Sequence, residues 1–304
     1  MKQNRKHSNR RFFLSAITIA AAGILIFFWS KTERKTDQFT ETTDFSEKIS
    51  TETALKDKDQ TTESTKENIE SETQLITETY SEQKINRIRS LPAGELAAAE
   101  TLAAEQINPL FFASAVDDAV SARINGFSYT ENPNIQLSDL SYLKMLYYGF
   151  DGNTYVGEMI VNRKIESDVL QIFKTLYENQ YPIEKMVLID DYNADDLLSM
   201  EDNNTSAFNY RTISGSDKLS NHSYGMAIDL NPKYNPYVKT ASDGSVLCQP
   251  EGGREYADRS KNFAHKIDEN DLAYRLFTEA GFTWGGSWNS VKDYQHFEKE
   301  DAGR

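Results

Sequence analysis

The chain has 304 residues, with 33 Lys and Arg against 47 Asp and Glu and a formal net charge of −14. So acidic a surface repels phosphate and argues against a nucleic-acid partner. The single cysteine, Cys248, excludes an intramolecular disulfide and a cysteine-based zinc site.

Taken in chain order, residues 1–11 form a basic tail carrying Lys2, Arg5, Lys6, Arg10 and Arg11. Residues 12–29 follow without a charge. As a helix this run is roughly 27 Å long at ~1.5 Å per residue, enough to cross a bilayer core. Ala20 to Gly23 are small, but "ILIFFW" continues past them, which favours an uncleaved signal anchor over a cleaved signal peptide. The basic tail is then cytoplasmic, and the remainder is extracellular on a single-pass membrane protein. Residues 30–84 are rich in Thr, Glu, Ser and Lys, with apolar residues scattered without period. Such a chain cannot bury enough apolar surface to offset its ordering entropy, so a disordered stalk is expected.

Residues 85–135 are expected to form a helical N-terminal extension, either a cap or a spacer. Strong helix formers fill Leu91 to Gln106 behind Pro92, and Pro109 to Ile124 is amphipathic. Over 136–304, Tyr142 to Phe150 and "GEMIV" predict two strands joined by a turn at Asp151 to Asn153. Val169, Ile172, Phe173 and Leu176 recur at helical spacing within a helix over 165–180. Lys185 to Tyr192 predicts another strand. A later helix ends at Gly281, followed by a glycine-aromatic turn and a final strand. Strands followed by single helices, without regular alternation, indicate an α+β domain.

There are four histidines. His7 lies in the basic tail, and His265 sits in a charged stretch and is expected in solvent. His222 precedes Asp229 by seven residues, and Asp293 precedes His296 by three. Asp229 interrupts an apolar run, "MAIDL", where a lone carboxylate is very costly to bury. Two histidines and a carboxylate make a catalytic zinc set with one open position, and a second carboxylate can serve as base. The alternative is a pair of satisfied core histidines beside solvated acids. Other chemistries find less support. The serines of "GSWNS" lack a nucleophile elbow, nothing marks Cys248 as reactive, and the two Gly-Gly pairs form no phosphate loop.

"SNHSYGMAID" matches S-x-H-x-x-G-x-A-x-D and "DYQHFE" matches D-x-x-H-F, with "FNYR", "NPYV" and "GFTWGGSW" around them. In these motifs the chain resembles the zinc D-alanyl-D-alanine carboxypeptidase family, in its endolysin-like branch, over roughly residues 137–298. The resemblance implies one α+β zinc-peptidase domain over 136–304, a small mostly antiparallel sheet with flanking helices. It places one zinc ion on His222, Asp229 and His296, the general base on Asp293, and a substrate-carboxylate or oxyanion contact on Arg211. It implies peptidoglycan stem peptides as substrate. D-alanyl-D-alanine carboxypeptidase activity comes first, because Arg211 supplies a cation for a terminal carboxylate. L,D-carboxypeptidase and stem-peptide endopeptidase activities, the latter of L-Ala-D-Glu type, are the alternatives, and a non-catalytic wall-binding protein is a further one.

Strand alternation puts Ala227 and Asp229 on one face and Ile228 on the other. Glu298 shares a face with His296, placed to hold its imidazole. Ser220 and Asn221 are candidates for orienting the loop around His222 by side-chain hydrogen bonds, with an ordinary polar turn as the equal alternative. Tyr224, Trp284 and Trp288 are candidates for pocket lining, with plain core packing as the equal alternative.

Overall fold

The computed structural model describes residue 74, residues 81–99 and residues 101–300. The expected tail and anchor lie outside the described residues, as does the stalk apart from Gln74 and residues 81–84, which are helical. Among the described residues no helix is long and apolar enough to cross a membrane.

The fold is built on the hairpin of β3 (Leu140–Tyr148) and β4 (Thr154–Asn162), paired antiparallel from Leu140↔Asn162 to Tyr148↔Thr154. Gly152, at φ +83°, supplies the left-handed position of its turn. Side chains alternate across the pleat, so the hairpin feeds two cores. Leu143, Met145, Tyr147, Met159 and Val161 pack against α3 (Glu166–Glu178), whose Val169, Ile172, Phe173 and Leu176 are all buried as their spacing predicts. Leu140, Leu146, Val156 and Ile160 face the other way and meet Ile88, Ile107, Leu110, Val120 and Ile124.

That second face is covered by residues 85–135, and here the helical expectation needs correction. The segment supplies both edge strands of a four-stranded antiparallel sheet, β1 (Leu96–Ala98) beside β4 and β2 (Phe112–Ala115) beside β3, in the order β1-β4-β3-β2. Among the described residues of this segment, α-helix is confined to the run over 81–90, α1 (Ala104–Ile107) and α2 (Asp118–Ile124), with a short 3-10 turn at Asn108–Leu110. Gly94, at φ +81°, reverses the chain, and unpaired backbone groups along β4 outweigh the helix propensity of the alanines. Asp117 caps α2 by accepting from Val120 N.

The strand expected over Lys185–Tyr192 is also absent. Asn204 occupies the place of a neighbouring strand, its Oδ1 accepting from Val187 N and its Nδ2 donating to Val187 O. The chain then closes into a 3-10 turn at Ile189–Tyr192 and enters α4 (Asp196–Glu201).

Two small antiparallel sheets complete the domain. One joins β5 (Ala227–Asp229), β10 (His296–Glu298) and β8 (Thr283–Trp284) in the order β5-β10-β8. The other joins β7 (Val246–Gln249), β6 (Tyr237–Thr240) and β9 (Lys292–Asp293) in the order β7-β6-β9. Helix α5 (Leu272–Glu279) is capped by Asp271 and ends at Gly281, φ +85°, as predicted. Its Phe277 stacks on Phe297 at 4.3 Å between centroids, fixing β10 to the core. The result is mixed α and β structure with small antiparallel sheets.

Candidate metal centre

His222 lies in a one-turn 3-10 segment, Asn221–Tyr224, that begins at Ser220, whose Oγ accepts from His222 N at 3.3 Å. The turn ends at Gly225, φ +65°, whose N–H donates to His222 O. A Cβ on Gly225 would lie 2.6 Å from Asn162 N on β4. Glycine is therefore required twice over, by its conformation and by its contact with the central hairpin.

The opposing half comes from strand pairing. In the β5–β10 ladder His296 sits directly opposite Asp229, Glu298 opposite Ala227, and Phe297 opposite Ile228. Directly paired residues share a face, so Asp229, His296 and Glu298 point to one side while Ile228 and Phe297 enter the core. Asp229 is held from its other flank by paired backbone hydrogen bonds with Ser206.

His222, Asp229 and His296 are all buried, and one ligand atom from each lies within 4.8 Å of the others. The hydrogen-bond partners assign the imidazole tautomers. His222 donates from Nδ1 to Ala207 O at 2.5 Å, leaving a lone pair on Nε2. His296 donates from Nε2 to Glu298 Oε2 at 3.1 Å, leaving a lone pair on Nδ1. These two nitrogens face each other at 3.2 Å, with Asp229 Oδ2 3.3 Å from His222 Nε2 and Asp229 Oδ1 3.0 Å from His296 Nδ1. The three groups thus converge on one point that calls for positive charge, either a proton on His296 Nδ1 or a metal ion. Two neutral imidazoles and a carboxylate fit zinc by their chemistry.

The protonation behaviour points the same way. Burial alone would raise Asp229, but the imidazoles, His222 foremost, hold it far below the usual carboxylate range. Burial would lower His296, yet its hydrogen bonds to Asp229 and Glu298 push it up to about 10. The site favours positive charge. Glu298 also accepts from Asn221 Nδ2 at 2.5 Å, linking both halves of the site through one carboxylate. Glu298→Ala is expected to weaken zinc binding about 10–100-fold, read by competition with a chromogenic chelator. An unchanged affinity would dismiss this linkage.

Asp293, at the end of β9, is set beside the cluster. Burial, then the Asp229 charge, raises its affinity for a proton, and its Oδ1 is buried without a hydrogen-bond partner among the described residues. Its approach to His296 depends on Gly285. A Cβ there would sit 2.6 Å from Asp293 O, 2.9 Å from Asp293 Cβ and 3.2 Å from His296 Cβ. Gly285→Ala is expected to cost about 1–3 kcal/mol of stability through forced backbone shift. Chemical denaturation checks it, and a cost below half a kcal/mol would contradict the contact.

The remaining candidates separate. Arg211 binds the His222 turn through its backbone, donating to Ser223 Oγ at 2.8 Å, while its guanidinium pairs with Asp196. Trp288 lies beside the site, its ring 5.3 Å from that of His296. Trp284 belongs to the core, and its Nε1 donates to Tyr294 O at 2.9 Å. Tyr224 packs partly buried against the same core. His265, expected in solvent, instead stacks on Phe150 at 3.7 Å. Ala207 and Asp196 went unremarked in the sequence, and Gly285 was given no role at the site, since a backbone acceptor and a close approach leave no residue-type signal. Only the "WGG" of the second motif hinted at tight packing.

A family model described as D-alanyl-D-alanine carboxypeptidase matches residues 214–299, which include His222, Asp229, Asp293 and His296. The peptidoglycan L-alanyl-D-glutamate endopeptidase CwlK of Bacillus subtilis (strain 168) is 32% identical over 79 residues. That alignment covers 26% of this chain and 38% of the relative, so the chain spans well under half the length of the curated protein it matches. No solved structure matches the chain. Over the segment that builds the buried two-histidine, one-aspartate cluster, the chain carries the signature of the D-alanyl-D-alanine carboxypeptidase family of peptidases.

Proposed function

We propose that this protein is a zinc-dependent peptidoglycan peptidase that hydrolyses a D-alanyl-D-alanine bond in stem peptides. The observation that carries this is the convergence of His222 Nε2, His296 Nδ1 and the Asp229 carboxylate, all buried, beside Asp293, whose buried Oδ1 has no hydrogen-bond partner among the described residues. His222, Asp229 and His296 would hold the metal, and a zinc ion there supplies Lewis acidity toward water and a peptide carbonyl.

The protein's own groups supply the remainder. Asp293 takes a proton from the attacking water as its oxygen bonds to the carbonyl carbon. It then delivers that proton to the leaving nitrogen as the C–N bond breaks. Arg211 binds a carboxylate on the leaving residue by charge-assisted hydrogen bonds. Glu298 and the Ala207 carbonyl hold the two imidazoles in the tautomers that direct their lone pairs inward.

A second bond has its own support, because the Bacillus relative is by name an L-alanyl-D-glutamate endopeptidase. A glutamyl residue within a chain retains one free carboxyl. Both bonds therefore place a carboxylate on the leaving side, and Arg211 serves either. The uncharged run over 12–29, behind its basic flank, supports a membrane anchor that leaves the catalytic domain facing the cell wall, with residues 30–84 as spacer.

The test is incubation of the chain with a pentapeptide stem, with zinc or with chelator, followed by product masses. Zinc-dependent loss of the last alanine supports the carboxypeptidase. A cut after the first alanine supports the endopeptidase. No zinc-dependent product would overturn both and leave a wall-binding role.

A further inference from the structure

Helix α4 contacts residues next to both halves of the candidate metal cluster. At its start, Asp196 pairs through Oδ2 with Arg211 Nε and accepts from Asn209 Nδ2 through Oδ1 at 3.0 Å. Asn209 is buried, donates also to Ala194 O, and its backbone N–H donates to His222 O at 3.2 Å. At its other end, Met200 Sδ receives Gln295 Nε2 at 3.3 Å, in the "DYQHF" segment between Asp293 and His296.

Arg211 is fixed at both ends of its side chain. Its carbonyl accepts from Ser220 N and from Ser223 Oγ, and its own N–H donates to Ser223 Oγ. Its backbone is therefore part of the turn that carries His222. Its side chain is about one-third exposed, and its buried Nε, which makes no hydrogen bond, forms an ion pair with a carboxylate that Asn209 itself immobilises. The terminal nitrogens make no hydrogen bond among the described residues. A partly exposed ion pair contributes little to stability, whereas a guanidinium paired with a carboxylate at Nε keeps its terminal nitrogens to donate to a second carboxylate.

We propose that Asp196 is a positioning residue whose ion pair at Nε orients Arg211, presenting its terminal nitrogens as a clamp for a carboxylate on the leaving residue of the substrate. This rests on the assignment of Arg211 as the substrate-carboxylate contact. It makes a free carboxylate on the leaving side the feature by which substrates are sorted.

The experiment uses the zinc-loaded chain and two stem peptides that differ only in whether that carboxylate is free or amidated. The wild type is expected to prefer the free acid. Asp196→Asn keeps the shape of the side chain, and is expected to lower that preference about tenfold, through KM rather than kcat, with zinc content unchanged. Cleavage of the amide should fall far less. Adding Asp196→Asn to Arg211→Ala should reduce the preference no further. Preference lost in Arg211→Ala but kept in Asp196→Asn would overturn the positioning role alone. Preference kept in Arg211→Ala would overturn the Arg211 assignment, and the proposal with it. Equal loss on both peptides, or loss of zinc, would reduce Asp196 to a structural residue and equally overturn it.

Discussion

Asp293→Asn is expected to lower kcat by about 10²–10⁴ while zinc content stays intact. The carboxylate is carried by β9, pinned to β6 at Tyr237, and Gly285 brings it against His296. Nothing else among the described residues bonds to its buried Oδ1, so that oxygen is available to a water or a leaving amine. Burial and the nearby Asp229 charge raise its proton affinity, which strengthens it as a base. A cation at the cluster works against that rise. Below its pKa the carboxyl holds its proton and cannot accept another, so kcat/KM should fall on the acid side, and this limb should vanish from the residual activity of Asp293→Asn. Asn fills the same space and leaves His222, Asp229 and His296, the candidate metal ligands, in place. Asp229→Ala is the contrasting change. It removes the carboxylate that faces both imidazoles, and stoichiometric zinc should be lost when measured by mass spectrometry of the metal. Full activity in Asp293→Asn would require another base, and undiminished zinc in Asp229→Ala would move the metal elsewhere.

The two halves of the site were legible in the sequence because each concentrates chemistry in a few residues. An aspartate in "MAIDL" and a histidine beside Phe297 stand out against apolar neighbours, and period-2 alternation gives their faces. The central hairpin and α3 were legible for the same reason, since long periodic segments carry their own signal. The failures share a different cause. Leu96–Ala98 is a strand because β4 offers an edge, although its alanines favour helix. Met186–Leu188 is no ladder strand because a single side chain, Asn204, satisfies Val187 where a neighbouring strand would be. Partners distant in sequence decide both, and local propensity cannot report them. Trp284 and Trp288 show the same limit at the site, for two tryptophans four residues apart divide between the core and the flank of His296.

Arg123→Ala is expected to destabilise the domain by about 3 kcal/mol, toward the lower end of what breaking a buried ion pair costs, since Arg123 is itself partly exposed. Glu158 stands mid-strand in β4, on the face covered by residues 85–135, and is 2% exposed. Its carboxylate accepts from Arg123 Nη1 at 2.8 Å and Nη2 at 2.6 Å, and from Tyr142 Oη at 2.6 Å. Burial would raise it, but the hydrogen bonds from Arg123 and Tyr142 prevail and hold it below its ordinary value. In the wild type this contribution is present above the unfolded pKa and is lost as pH falls through the folded one. Without the guanidinium the sign reverses. The orphaned carboxyl then titrates above its unfolded value, so folding takes up a proton, and the deficit of Arg123→Ala should shrink as pH is lowered toward that value. Glu158→Gln added to Arg123→Ala removes the stranded charge and should recover most of the loss. Urea unfolding at neutral and acidic pH checks both statements, and a neutral-pH cost under 1 kcal/mol would refute them. The effect should reach the metal centre, because β4 also carries Asn162, whose N–H donates to Gly225 O at 2.8 Å. A segment outside both motifs thus supports the strand on which the His222 turn rests, and its loosening should lower zinc affinity without touching a ligand.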